Sequence, residues 1–256
     1  MGIFEMKTGI IIQARTGSQR LPGKVLLPFD GEKNILELII SRLKRSIHGL
    51  PIVVATSISE SDNAIAMVAE AEGVLCFRGD EEDVLKRFID AAVENEFSRI
   101  IRVCADNPFL DLRLMDELIS KSGEIEFDYY SYLAADDLPA IKSHWGIFTE
   151  IVSLSALNKA EELTNSKTYH EHVTNFIYEN PDKFKVYWEK APKEIFGQKD
   201  FRFTIDTSAD FDLMKKIWNI LSDRGVSHNY VEALKIVMEF PGMQNEMKNQ
   251  IKINSK

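Results

Sequence analysis

Several features that would assign the chain quickly are missing. Only two cysteines occur among 256 residues, Cys76 and Cys104, without a CxxC pair or a histidine at zinc-ligand spacing. This excludes a disulfide framework and a cysteine-built zinc fold, and both thiols read as buried small apolar residues. There is no excess of positive charge: 31 Lys and Arg stand against 40 Asp and Glu, a formal net charge of -9. Nucleic acid and anionic membrane are therefore not the expected partners. No apolar run reaches the roughly 18 residues of a membrane span, and nothing resembles a signal peptide, so the expected compartment is the cytoplasm. A GxxxxGK[ST] loop and a dinucleotide glycine fingerprint are both absent. No repeat, low-complexity tract or flexible linker divides the chain, which predicts a single domain.

What is present is an alternation of short apolar runs and amphipathic stretches. Residues 9–12, 51–55, 74–77 and 99–104 read as strands, and residues 35–47, 62–72 and 83–95 as helices, with Ser61 as a cap for the second. Continuous apolar strands separated by helices predict an α/β fold with a mostly parallel sheet covered on both faces. Asp111 is a plausible cap for a helix running to residue 121. After it the pattern loosens, with strands predicted at 127–131, 146–153, 184–189 and 202–205. Helices are predicted at 154–163, 170–179, 208–221 and 229–240, that from 208 capped by Ser208. This describes a nucleotide-binding half over about 9–125 and an antiparallel elaboration over about 126–240 that serves acceptor binding and oligomerisation. The polar tail at 241–256 is expected to fray.

The chemistry concentrates where the first strand leaves the sheet, the edge at which open α/β sheets bind ligands. Gly17 and Ser18 can bring backbone N–H groups to an anion, and Arg15, Arg20 and Lys24 put three cations within ten residues of an acidic chain. Pro22 and Gly23 supply a turn that returns Lys24 toward this cradle. A second candidate is Asp106, which follows a strand and precedes Pro108. It could project into a site or merely cap a turn.

The run QARTGSQRLPGKVLL (13–27) resembles the signature of the cytidylyltransferase family, which includes the CMP-3-deoxy-octulosonate and CMP-sialic acid synthetases. Within it the likeness is strongest to the spore-coat polysaccharide branch, SpsF. The resemblance continues in order through VVATS (53–57), FRGDEEDVL (77–85), RVCADNP (102–108), HEHVT (170–174) and IDT (205–207). It implies a glycosyltransferase-A type nucleotide-binding fold, transfer of CMP from CTP to a sugar or acidic sugar, release of pyrophosphate, Mg²⁺ as cofactor and a homodimer.

Carried over by position, Ala14, Arg15, Arg20 and Lys24 hold the triphosphate. Thr56, Ser57, Gly79 and Asp83 meet the pyrimidine and ribose, although a strand-end turn explains Thr56 and Ser57 equally well. Asp106 and Asp206 hold the metal, as hard oxygen ligands suited to Mg²⁺. Arg87 and Arg102 either contact an anion or acceptor or form internal ion pairs. In the triplet His170-Glu171-His172 zinc is disfavoured, because i and i+2 on a helix diverge, and Glu171 and His172 are expected to line the acceptor site. The stretch 134–149 departs from the family, and its Lys142, His144 and Trp145, with Glu150 just after, are expected to form the sugar pocket.

Two other functions remain open on sequence grounds. One is a glycosyltransferase of the same fold that consumes a nucleotide sugar; the only Asp-x-Asp, Asp210-Phe211-Asp212, reads as the first turn of a helix rather than a metal site. The other is a non-catalytic nucleotide sensor. Within the family reading, a phosphate or phosphonate acceptor is the alternative to a sugar.

Overall fold

The computed structural model describes residues 7–123, 125–134, 137–196 and 198–254. Among these, seven strands form one sheet in the order β5-β4-β1-β6-β8-β7-β9. These are β1 (Thr8–Gln13), β4 (Ile52–Ser57), β5 (Leu75–Gly79), β6 (Arg99–Cys104), β7 (Tyr129–Leu133), β8 (Glu150–Ser153) and β9 (Val186–Lys190). The first four are parallel, β8 runs antiparallel between β6 and β7, and β7 and β9 pair parallel. A separate hairpin, β2 (Pro28–Asp30) and β3 (Lys33–Asn34), precedes the first helix. The fold class is α/β, with a small elaboration on a mostly parallel sheet.

The reason for continuous apolar strands is visible in β1. Ile10 and Ile12 face a core built with α1 (Ile35–Leu43), α4 (Leu112–Ser122), α8 (Ser208–Asp223) and α9 (Tyr230–Glu239), while Ile11 faces a second core with α3 (Val84–Glu94) and α5 (Leu154–Leu163). All three isoleucines are fully buried. Alternating side chains thus find apolar cover on both faces. The other helix on this half is α2 (Asn63–Ala71). No helix among the described residues is long and apolar enough to cross a membrane.

Five local expectations need correction. The cap of α2 is Asp62, not Ser61, and that of α8 is Thr207, whose side chain forms a reciprocal capping box with Asp210. The stretch 170–179 is two short helices, α6 (Lys167–Glu171) and α7 (Asn175–Glu179), because His172 leaves helical geometry at φ -104°, ψ 76°. The segment 202–205 joins no sheet; the N–H groups of Phe203 and Ile205 donate to the His144 and Asp106 carbonyls instead. The tail does not fray: Pro241 begins α10 (Pro241–Ile253), where its missing N–H costs nothing, and Met243 and Met247, one turn apart, bury against the core.

Candidate active site

The loop after β1 is held from beneath by a carboxylate that the sequence reading passed over. Asp62 accepts from the Thr16 N–H (2.8 Å) and Oγ1 (2.6 Å), the Thr56 hydroxyl (3.0 Å), and the Ser57 N–H (3.1 Å) and hydroxyl (2.5 Å). An ionised carboxylate is acceptor-only and can satisfy this many converging donors, whereas an amide cannot. Burial would raise the Asp62 carboxyl, but the bonds from Ser57 and Thr16 hold it below the usual range. A depressed pKa stabilises the fold above the unfolded-state value, near 3.9, and that contribution is lost as pH falls through the folded-state value. Asp62→Asn should therefore cost about 1–3 kcal/mol at pH 7 and flatten the stability profile in acid. Urea titrations of both proteins between neutral pH and pH 3 measure this; parallel profiles would contradict it.

Gly23, at φ 67°, takes the left-handed conformation that turns the chain back, and its N–H donates to Thr16 O at 2.9 Å. The next residue, Lys24, thereby points into a cleft of ≈ 1070 Å³ at the carboxyl edge of the sheet. Its Nζ donates to Asp106 Oδ2 (2.8 Å) and Ile205 O (2.5 Å) and lies 3.5 Å from Asp206 Oδ1. Arg20 reaches the same Asp206 oxygen at 2.9 Å. Burial opposes the charge on Lys24, yet Asp106 and Asp206 raise its pKa above the ordinary lysine value. Burial likewise opposes ionisation of Asp206, but Lys24, Arg202 and Arg20 hold its carboxyl below the usual range.

Asp106 and Asp206 are a hundred residues apart in sequence, and backbone contacts bring them together. The Ile205 N–H donates to Asp106 O (3.0 Å) and the Phe203 N–H to His144 O (2.9 Å). Beneath them Phe109 meets Phe203 edge-on, ring centroids 5.5 Å apart. Gly146, at φ 59°, permits the approach, since a Cβ there would sit 2.7 Å from Asn107 Oδ1 and 3.0 Å from the Thr204 N. Arg202 lies below the pair. Its Nε and Nη2 bind Asp210 (2.7 and 2.9 Å), Nη2 also binds Asp206 Oδ2 (2.8 Å), and Nη1 donates to His144 Nδ1 (2.7 Å).

The far end of the cleft is formed by Arg102 on the floor and by Asn165, Lys167, His170, Glu171 and His172 on the wall. Arg102 is fixed by Glu150, which is wholly buried and also accepts from Tyr129 Oη (2.6 Å) and Thr174 Oγ1 (2.8 Å). Gln13 Oε1 accepts from its other nitrogen at 2.9 Å. Arg15 donates to Glu171 across the cleft mouth (3.2 Å), and His170 Nδ1 meets Asp83 Oδ2 (2.7 Å). Asp83 also caps α3.

The structure thus gathers Arg15, Gly17, Ser18, Arg20, Lys24, Asp83, Arg102, Asp106, Glu171, His172 and Asp206 around one cleft. Other expected contacts are elsewhere. Ala14 is in the core, its N–H donates to Ala55 O, and it does not line the cleft. Thr56 and Ser57 are buried around Asp62 and support the loop rather than a base. Gly79 does not line the cleft; its carbonyl accepts from the Ile58 N–H. Of the loop amides, that of Ser18 already donates to Thr16 O at 2.8 Å.

The described residues of the 134–149 segment do not line this cleft. Ala135 and Asp136 lie outside the described residues. Lys142 pairs with Glu179 (2.5 Å), His144 accepts from Arg202, and Trp145 is 2% exposed, packed on Phe201 and Phe203 with Nε1 donating to Gln198 O. Glu150 works from below, through Arg102. Arg87 is wholly buried and donates to Asp80 O. Neither cysteine is fully buried. Cys104 borders the cleft, its thiol pushed up to about 11 by burial, so it is not a thiolate nucleophile. Asp210 is buried on Arg202, which removes the Asp-x-Asp of a nucleotide-sugar-consuming site.

The donor set suits Mg²⁺: two carboxylates converge within reach of one lysine, and phosphate oxygens would complete the shell. No group of three or more His, Cys, Asp or Glu that could hold a metal alone occurs among the described residues.

Comparison with known proteins agrees with this geometry. The chain is 35% identical over 221 residues to the spore coat polysaccharide biosynthesis protein SpsF of Bacillus subtilis, covering 84% of this chain and 87% of that protein. It is 41% identical over 208 residues to an uncharacterized protein of Methanocaldococcus jannaschii, covering 81% and 82%. The structure of a cytidylyltransferase from Leptospira borgpetersenii superposes with a TM-score of 0.80 at 30% identity, covering 93% of this chain and 97% of that one. The family model described as cytidylyltransferase matches residues 9–239, and with the cleft just described this chain belongs to the cytidylyltransferase family and is a CTP-dependent nucleotidyltransferase.

Proposed function

We propose that the enzyme transfers CMP from CTP to a hydroxyl of a small sugar or acidic sugar, releasing pyrophosphate, in the synthesis of a surface polysaccharide. The observation that carries this reading is the convergence of Lys24 and Arg20 with Asp106 and Asp206 at the sheet's carboxyl edge. The likeness to SpsF supports the polysaccharide setting, and the use of CTP supports a cytoplasmic reaction.

Each loop cation is already paired with a carboxylate: Arg15 with Glu171, Arg20 with Asp206, Lys24 with Asp106. A triphosphate entering the cleft takes these cations as its own partners. Asp106 and Asp206 are then left adjacent to each other and to the phosphates, an arrangement that repels unless a cation joins it. Bound there by Asp106 and Asp206, Mg²⁺ would neutralise phosphate charge and orient in-line displacement. The protein's own residues do the rest. Arg15, Arg20 and Lys24 hold the triphosphate and stabilise charge on the departing pyrophosphate. Arg102, Lys167 and His172 orient the acceptor, whose oxygen forms a bond to the α-phosphorus as the bond to the β-phosphate oxygen breaks and the hydroxyl proton leaves. Arg102 and Lys167 at that end favour an anionic acceptor.

The test is pyrophosphate release with each of the four NTPs, Mg²⁺ and a panel of neutral and acidic sugars. Release with CTP alone and an acidic sugar is expected; release with another NTP only would overturn the assignment. In the same assay Lys24→Ala should lose about a hundredfold in rate. Ser18→Ala should lose about fivefold, the value of one neutral hydrogen bond.

A further inference from the structure

A second cleft, of ≈ 790 Å³, lies among α1, the start of α4 and the α8–α9 connection, and shares no lining residue with the first. Lys33, Arg42, Arg45 and Arg113 line it, against only Asp30 and Asp111. In a chain of net charge -9 this is a local reversal of sign.

Arg42 is the innermost of these cations. The residue is 6% exposed; Nη1 donates to His228 O and Nη2 to Leu110 O, both at 2.8 Å, and Nε has no partner. No carboxylate lies within ion-pair distance among the described residues, so carbonyl dipoles satisfy its geometry without neutralising its charge. Burial, reinforced by the like charge of Arg45, pushes the Arg42 guanidinium down to about 10. Arg45 and Lys33 have no side-chain hydrogen bond or ion pair among the described residues. One carboxylate is engaged, since Asp111 caps α4 through the Leu114 N–H at 2.9 Å. Leu38, Leu112 and Trp218 supply an apolar wall, and the Trp218 ring stacks on His228 at 4.1 Å.

Clustered guanidiniums, one deeply set with only the more distant Asp111 opposing its charge, match a phosphate group, and the apolar wall beside them matches an attached organic body. We propose that this cleft binds the phosphate of a small phosphomonoester, with Arg42 and Arg45 on the anion and the Trp218 wall against the organic part; Arg113 beside them is paired with Glu117 at 3.0 Å. This site is independent of the nucleotidyl-transfer reading.

The experiment titrates glucose 6-phosphate, glucose and inorganic phosphate, by calorimetry and by ¹H–¹⁵N spectra of the tryptophan indoles, into wild type, Lys24→Ala and Arg45→Glu. Arg45 is exposed, and an unchanged Tm checks that Arg45→Glu folds normally. Saturable glucose 6-phosphate binding is expected in wild type and Lys24→Ala, with the Trp218 indole shifting. It should weaken by about tenfold or more in Arg45→Glu; glucose should be silent, and inorganic phosphate weaker than the ester. The proposal is overturned by no saturation up to about 10 mM, by loss in Lys24→Ala instead of Arg45→Glu, or by equal affinity for inorganic phosphate and the ester.

Discussion

Asp106→Asn and Asp206→Asn should each lower CMP transfer by about 10²–10³-fold, the range seen when one preorganised charge-stabilising group is removed, while circular dichroism stays native. The two carboxylates differ in their supports. Among the described residues the Asp106 side chain pairs only with Lys24, whereas Asp206 is bracketed by Arg20, Lys24 and Arg202. Asp206 therefore also contributes to stability. Its folded-state pKa is depressed, so the contribution is present above the unfolded value and is lost as pH falls through the folded one. Asp206→Asn should accordingly cost measurable stability at neutral pH, and Asp106→Asn less. In both variants CTP affinity should become nearly independent of Mg²⁺, because the amide adds no charge to hold the ion. Calorimetric titration of CTP with Mg²⁺ and with EDTA separates this from a folding defect. Wild-type Mg²⁺ dependence in Asp106→Asn would remove that residue from the metal site.

The residues legible in the sequence are those whose role follows from local chain geometry. Arg15, Arg20 and Lys24 lie on one loop beyond one strand, and Asp106 ends another, so the doubly covered sheet alone places them at its carboxyl edge. Asp62 was hidden because it lies at a helix start, where an acidic residue needs no further explanation; its five donors come from two other stretches of chain. Arg202 was hidden because its three partners, His144, Asp206 and Asp210, lie in two separate loops and a helix. Only the Thr207-x-x-Asp210 capping pattern hinted that Asp210 was structurally committed. Trp145 lies away from the cleft for a related reason. An aromatic residue among polar neighbours reads as a pocket lining, but Trp145 fills core space between Phe201 and Phe203. Asn165, Lys167, His170, Glu171 and His172, on and beside the short helix α6, line the cleft instead.

Arg202→Met should destabilise the protein by about 3–5 kcal/mol, because it leaves carboxylates buried without their cation. The Arg202 side chain is 1% exposed and that of Asp210 is 3% exposed. Burial alone would lower the Arg202 pKa, but Asp210 and Asp206 raise it above the ordinary arginine value. Asp210 Oδ2 further accepts from the Asp206 N–H (3.0 Å) and the Thr207 N–H (2.9 Å), so the guanidinium fixes the turn that presents Asp206 to the cleft. Arg202→Lys should restore little, since one ammonium cannot span both Asp210 oxygens, Asp206 and His144 in the plane of a guanidinium. The double variant Arg202→Met/Asp210→Leu should recover part of the stability that the single one loses, because it removes the orphaned charge along with its partner. Its activity should nevertheless stay low, with Asp206 no longer oriented. Urea denaturation of the three variants, paired with pyrophosphate release, reads both quantities. A single variant within about 0.5 kcal/mol of wild type, the range of an inert surface substitution, would show that Asp206 is positioned without Arg202.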